Sequence, residues 1–184
     1  MSQTNELEIM ERIALDLVGV EESLASSFNT GAEDFNALIR PLSAAGGKRL
    51  RAQLCLLIAN AGTSIERQRI KIAEAVEMLH LATLIHDDVL DQAEIRRGED
   101  TIHMHKGNKV AILSGDYLFA KAFKIVSEMT NMKYLQVFSH IITCLVEGEF
   151  MQMEDVYRID QGIERYMTKT QKKTADFMEG CMEL

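Results

Sequence analysis

Tryptophan is absent from this chain, proline occurs once and cysteine three times. Scarce proline removes the strongest helix breaker, and 6% aromatic residues leave few of the side chains that favour strands. Cys55, Cys144 and Cys181 are far apart, odd in number and without metal-ligand spacing. They are expected to be reduced, buried thiols, as in a cytoplasmic protein. No run approaches the roughly 18 consecutive apolar residues of a membrane span. The start, MSQTNELEIM, lacks the basic segment and apolar stretch of a secretory signal. Positive charge is in deficit too. A formal net charge of -8 argues against nucleic acid as a partner, so an anionic ligand needs a local basic cluster.

What is present points to helix. The 184 residues are 47% hydrophobic and 26% charged, proportions that suit one folded domain spanning 1–184 with a full core. Apolar residues at Leu7, Met10, Ile13, Leu17 and Val20 to Leu24 predict a first helix over about Glu6–Phe28, ended by Asn29-Thr30-Gly31. A short helix is expected near Phe35–Leu42, with Gly46-Gly47 breaking the pattern after it. The next, Arg49–Ala61, is apolar almost all round and is expected to be central. Ala61-Gly62-Thr63-Ser64 reads as a turn whose serine caps a long helix from Ile65 to about Leu90. Further helices are read over about Val110–Met129 and Met132–Val156, and from Ile163 onward. No strand pattern of useful length appears. The expected fold is all-α, an antiparallel helix bundle.

The most informative stretch runs from His80 to Asp91, HLATLIHDDVLD. Asp87 and Asp91 are four apart and share a helix face, and His80 lies two turns earlier on that face. The acids crowd the C-terminal end of a helix, where the macrodipole disfavours each by up to about 1 kcal/mol. A pair of aspartates at a helix end is ordinarily a solvated end. Here Leu79, Leu81, Leu84 and Ile85 lead in on several sides, so the helix should be buried and a cation would complete the cluster. Few carboxylates, with water and phosphate oxygens filling the remaining positions, describe magnesium. Arg96-Arg97-Gly98 follow at once, and the guanidinium fork suits phosphate oxygens. Gly46-Gly47-Lys48-Arg49-Leu50-Arg51 opens another helix and forms a second candidate anion site.

With these elements in order, the sequence resembles the trans-isoprenyl (polyprenyl) diphosphate synthase family. The resemblance rests on GGKRLR (46–51), HLATLIHDDVLDQAEIRRG (80–98) and KVAILSGDYLFAKAF (109–123), with weaker matches in GEFMQ (148–152) and KTADF (173–177). It implies a bundle of the isoprenoid-synthase type, of which this is the N-terminal portion. It also implies a prenyltransferase that condenses an allylic diphosphate with isopentenyl diphosphate into an all-trans polyprenyl diphosphate. Asp87 and Asp91 would carry Mg2+ bridging the allylic diphosphate, supported by Asp88, and Arg96 would bind that diphosphate. Lys48, Arg51, His80 and Arg97 would bind the diphosphate of isopentenyl diphosphate. Lys173 and Thr174 resemble a family pair near the allylic diphosphate, with Lys173 counted among the catalytic residues, and Gln152 would face the cavity. His86 and Asp116 match family positions without an assigned role. A homodimer or heterodimer is expected. Ala82 and Thr83, both small and one turn before Asp87, leave room for a medium or long product unless they simply pack against a neighbour.

The sequence departs from the family pattern in two places. Ala52 stands where the family usually has proline, and no second aspartate-rich motif occurs before Leu184. The chain is therefore expected to be weakly active or inactive alone, either as part of a larger enzyme or as a subunit complementing or modulating a full synthase. Two other readings compete. Glu77 and His80 form a Glu-x-x-His pair of the kind found in dimetal bundles, but a second such pair is missing. A class I terpene cyclase shares the aspartate motif yet does not need GGKRLR.

Overall fold

In the computed structural model the described residues are 3–28, 33–44, 47–62 and 66–184. The proposed stops and caps at Asn29-Thr30-Gly31, Gly46, Thr63 and Ser64 lie outside them. The chain forms two compact units, Met1–Glu128 and Met129–Leu184.

The first unit contains α1 (Gln3–Ser27), α2 (Glu33–Ala44), α3 (Leu50–Ala61), α4 (Glu66–Leu90), α5 (Ile102–Lys106) and α6 (Asn108–Ser127). A hairpin of β1 (Ile95–Arg96) and β2 (Glu99–Asp100) lies between α4 and α5. The long expected helices are all present. The hairpin and α5 are additions, because two-residue strands and a five-residue helix are too short to leave a periodic signature.

Helix α4 is the core of this unit. Every residue from Ile72 to Leu79 is buried, as are Leu81, Ala82 and Ile85, so both flanks of the helix meet other elements. Helix α3, expected to be central, instead buries Ala52, Cys55 and Leu56 against α1 and α4, while Leu50, Leu57 and Ile58 stay exposed. Apolar residues all round a helix show that it can be buried; which sides find a neighbour is decided by packing. Among the described α1 side chains likewise only Ile13, Val20 and Leu24 are buried apolar positions, followed by buried Phe28 just past the helix, and Leu7 and Met10 are exposed.

Buried polar groups tie α1 to α4. Arg69 holds Asp16 through two bonds, Nε to Oδ2 at 2.6 Å and Nη2 to Oδ1 at 2.9 Å, and Asn60 adds a third at 3.0 Å. Fully buried Glu74 accepts from Ser23, Ser27 and Lys71, each at 2.6 Å. Such groups persist inside only when their bonds are satisfied.

The second unit is α7 (Met132–Glu154), α8 (Ile163–Thr170), a π-helical turn (Gln171–Ala175) and α9 (Asp176–Glu183). Asn131 caps α7 by accepting from the Lys133 N–H at 3.0 Å. Arg165 ties α8 to the end of α7, donating to Asp155 at 2.5 Å and to Glu154 at 2.8 Å. The expected single run from Ile163 is thus interrupted by a wider turn. Cys55, Cys144 and Cys181 are buried and reduced, as expected. No described helix is long and apolar enough to cross a membrane.

Candidate active site

Helix α4 ends directly after the acidic cluster, and its ending aims the carboxylates. Gln92 takes a left-handed conformation (φ 52°), the Ala93 N–H bonds the Asp88 carbonyl at 3.0 Å, and the Gln92 N–H approaches the Val89 carbonyl at 3.4 Å. This is the six-to-one and five-to-two closure of a Schellman motif, with glutamine where glycine is usual. The backbone carbonyls at this end are therefore satisfied internally, while the side chains diverge. Asp87 is half-buried, Asp91 is exposed, and Asp88 is buried with its Oδ1 2.7 Å from Arg96 Nε. The Asp88 carboxylate thus faces a cation of the protein, and Asp87 and Asp91 are spaced one helical turn apart.

Arg96 and Arg97 are presented by the hairpin. Arg96 pairs with Glu99, leaving a two-residue loop in which Arg97 (φ 55°) and Gly98 (φ 88°) both have positive φ. A type I′ turn demands this at both central positions. Glycine adopts it readily; arginine there costs about 1 kcal/mol, which marks Arg97 as held by its surroundings. Its guanidinium lies beside Gly47, where a Cβ would come within 3.2 Å of Nη2. The hairpin thus brings 96–98 against the Gly47-Lys48 strand of chain, nearly fifty residues away in sequence.

His80 and Arg51 complete this basic cluster. Arg51 Nη1 lies 3.1 Å from His80 Nε2. Arginine only donates, so Nε2 is the acceptor and the ring is neutral. Burial, together with Arg51, Arg97, Arg96 and Arg49 nearby, lowers the His80 pKa from 6.5 to about 3. The geometry and the electrostatics agree. Half-buried Arg51 and exposed Arg97 therefore concentrate positive charge around a neutral His80 on an acidic protein, with exposed Lys48 next to Gly47 in the chain.

Arg49 and the helix terminus depart from the reading of GGKRLR as an anion-binding helix start. Arg49 is left-handed (φ 46°); its Nε and Nη2 hold Glu21 at 2.6 and 3.0 Å, and its Nη1 holds Glu77 at 3.4 Å. Buried Glu77 also accepts from the Ala52 N–H at 3.1 Å. The side chain of one helix thereby caps the start of another, so at Ala52 the terminus serves Glu77 and not a ligand. The same bonds dispose of the dimetal reading, because Glu77 is committed to Arg49 and Ala52. Glu77 was legible as an acid one turn from His80, but its partners lie 25 and 28 residues away and carried no local signal.

In the second unit, Lys173 donates to Gln152 Oε1 at 3.0 Å and to Glu149. Lys173 and Thr174 sit in the π-helical turn, a feature common at functional sites, with Thr174 exposed. Gly148 allows the turn to approach α7, since a Cβ there would lie 2.7 Å from Lys173 Cγ. Sequence reasoning found Lys173 and Gln152 and passed over Glu149, although its spacing of three from Gln152 places both on one face of α7.

Among the described residues no three His, Cys, Asp or Glu side chains gather as a closed metal site.

A helical bundle carrying an acidic pair at a helix end, with an arginine hairpin beside it, is of the isoprenoid-synthase type. The family model for polyprenyl synthetase matches residues 32–184, and the chain belongs to that family. It is 38% identical over 170 residues to heptaprenyl diphosphate synthase component 2 of Geobacillus stearothermophilus, covering 92% of this chain and 53% of that protein. It is 32% identical over 176 residues to octaprenyl diphosphate synthase of Escherichia coli, covering 96% and 54%. The polyprenyl synthase of Caulobacter crescentus, crystallised with calcium and isoprenyl diphosphate, superposes with a TM-score of 0.90 at 33% identity, covering 95% of this chain and 53% of that one. The chain spans about half the length of these relatives.

Proposed function

We propose that this chain carries the substrate-binding portion of a trans-polyprenyl diphosphate synthase, which joins an allylic diphosphate to isopentenyl diphosphate. The observation that carries this is the meeting of two opposite charge clusters at one end of α4. Asp87 and Asp91 lie one turn apart there, Arg96 holds the adjacent Asp88, and Arg51, Arg96 and Arg97 gather near neutral His80 from separate segments. An acidic protein gathers that much positive charge for an anion, and places carboxylates beside it for a cation that the anion shares.

Asp87 and Asp91 would hold magnesium, which when bound neutralises charge on a departing diphosphate. Arg96, steadied by Asp88, would contact the allylic diphosphate and stabilise the charge that builds on it as the carbon–oxygen bond breaks. Lys48, Arg51, Arg97 and neutral His80 would hold isopentenyl diphosphate with its double bond close to the carbon being released. The new carbon–carbon bond forms there, and the proton then lost passes to the diphosphate that left. The apolar residues beneath, Leu84 and Ile85 among them, would exclude water that would quench the cation. Lys173 and Thr174 keep the allylic-diphosphate role that the family resemblance implies, and Gln152 its place facing the cavity.

A second reading is supported by a relative named as a component: a subunit that complements a fuller synthase. Titration with magnesium and inorganic pyrophosphate tests the site itself. Asp87→Ala is expected to abolish magnesium-dependent binding, and binding equal to that of the unaltered chain would falsify the clamp. Prenyl transfer assayed for the chain alone, then mixed with a full synthase, separates the two readings.

A further inference from the structure

His86 directly precedes Asp87, yet a helix turns 100° per residue, so its ring projects to another side of α4. There it meets α6. His86 Nε2 lies 3.1 Å from the Ile112 carbonyl and 3.6 Å from Asp116 Oδ1, and the ring stands 5.5 Å, centroid to centroid, from Phe119. Ile112, Asp116 and Phe119 are spaced three or four apart and form one face of α6. Gly115 lies in the middle of that face, and a Cβ built on it would overlap the imidazole ring. The absent side chain is therefore a notch that admits His86. Because a carbonyl oxygen only accepts, the ring carries its hydrogen on Nε2.

This seat explains how an end of α4 loaded with acids keeps one orientation. Asp87 and Asp91 repel each other and oppose the macrodipole, which together disfavours this last turn by about 1–2 kcal/mol. Leu79, Leu81 and Ile85 bury the helix below, but apolar packing tolerates small rotations and a hydrogen bond in a fitted notch does not. A divalent-ion site needs its carboxylates held within about 0.5 Å and 10–20°. We propose that His86 is a positioning residue: seated in the Gly115 notch, it fixes the rotation of α4 against α6 and so the aim of Asp87 and Asp91. The proposal rests on the metal-binding reading above, and it concerns residues outside that site.

The test uses the whole chain, with magnesium and inorganic pyrophosphate as probes in calorimetric titration. Unaltered protein, Asp87→Ala, His86→Ala, His86→Gln and Gly115→Ala are compared, with thermal unfolding recorded for each. Removing a partner that orients a metal ligand weakens metal affinity by about tenfold or more. His86→Ala and Gly115→Ala are expected to raise by that factor the magnesium concentration giving half-maximal pyrophosphate binding. His86→Gln, whose amide N–H reaches the position of Nε2, is expected to recover most of the loss. A merely structural role would lower the unfolding temperature without this pattern of rescue. Unchanged magnesium dependence in His86→Ala, with binding lost in Asp87→Ala, overturns the positioning role and leaves the metal reading intact. Absence of magnesium-dependent binding in the unaltered chain overturns both. Where His86→Ala does not fold, equal losses in His86→Gln and Gly115→Ala overturn the proposal, and a loss confined to Gly115→Ala supports it.

Discussion

Arg51 donates to His80 across 29 residues of sequence, and the 3.1 Å bond holds a neutral imidazole in the middle of an arginine cluster. A stability prediction follows from the sign of its pKa shift. The folded ring titrates near 3 and the unfolded ring near 6.5, so between those values the unfolded chain binds the extra proton. The contribution of His80 is complete above about pH 6.5 and is lost as the pH falls toward 3. Urea unfolding of the unaltered protein and His80→Gln at pH 7, 6, 5 and 4 should show the unaltered protein losing stability relative to the variant. A constant difference across that range would refute the shift.

Lys48 is exposed and follows Gly47, whose backbone lies against the Arg97 guanidinium. Lys48→Ala is expected to weaken isopentenyl diphosphate by about tenfold, the value of one charged hydrogen bond. Affinity for an allylic diphosphate should stay within about twofold. Equal losses for both ligands, measured by competitive titration, would show that the two diphosphate sites have been divided wrongly.

Ala82 and Thr83 behave differently in the fold, although the sequence offers them as a pair. Ala82 is fully buried, so phenylalanine there overpacks the helix contact and should cost about 1–3 kcal/mol or more. Thr83 is half-buried, its hydroxyl donating to the His80 carbonyl at 2.8 Å. Thr83→Phe is therefore the variant expected to shorten products in a catalytically complete assembly, with a smaller loss of stability. Product lengths unaltered by Thr83→Phe would remove this position from the cavity.

Glu77 joins two features, Arg49 and the Ala52 N–H. Glu77→Ala leaves a buried donor unmatched and Arg49 with one carboxylate fewer, an expected loss of about 3 kcal/mol. Glu77→Gln keeps an acceptor for Ala52 and should lose less. Equal destabilisation of the two variants in urea would show that the charge, and not the cap, carries the contribution.

Much of the molecule was readable residue by residue. The helices were found because a 3.6-residue period is local, and the acidic pair because four residues make one turn. The family pattern made Asp87, Asp91, Arg96 and Arg97 candidates at once. What escaped was pairwise and distant. No local pattern predicts that Arg49 turns to Glu21 and Glu77 instead of a ligand, or that Glu149 joins Lys173. The hairpin escaped for another reason: its turn uses Arg97 where Asn or Asp is usual, so the expected turn signal was missing.

The sequence alone determined that this is an all-α member of the polyprenyl synthetase family and made residues 80–98 the candidate site, because helix period and motif spacing reside in neighbouring residues. Tertiary structure decided which charges are spent and which are presented. Asp88 goes to Arg96, Arg49 to two glutamates, the Ala52 amide to Glu77 and Arg51 to His80. Those outcomes depend on side chains brought within hydrogen-bond distance by packing, and the length of intervening chain leaves no trace of them in sequence.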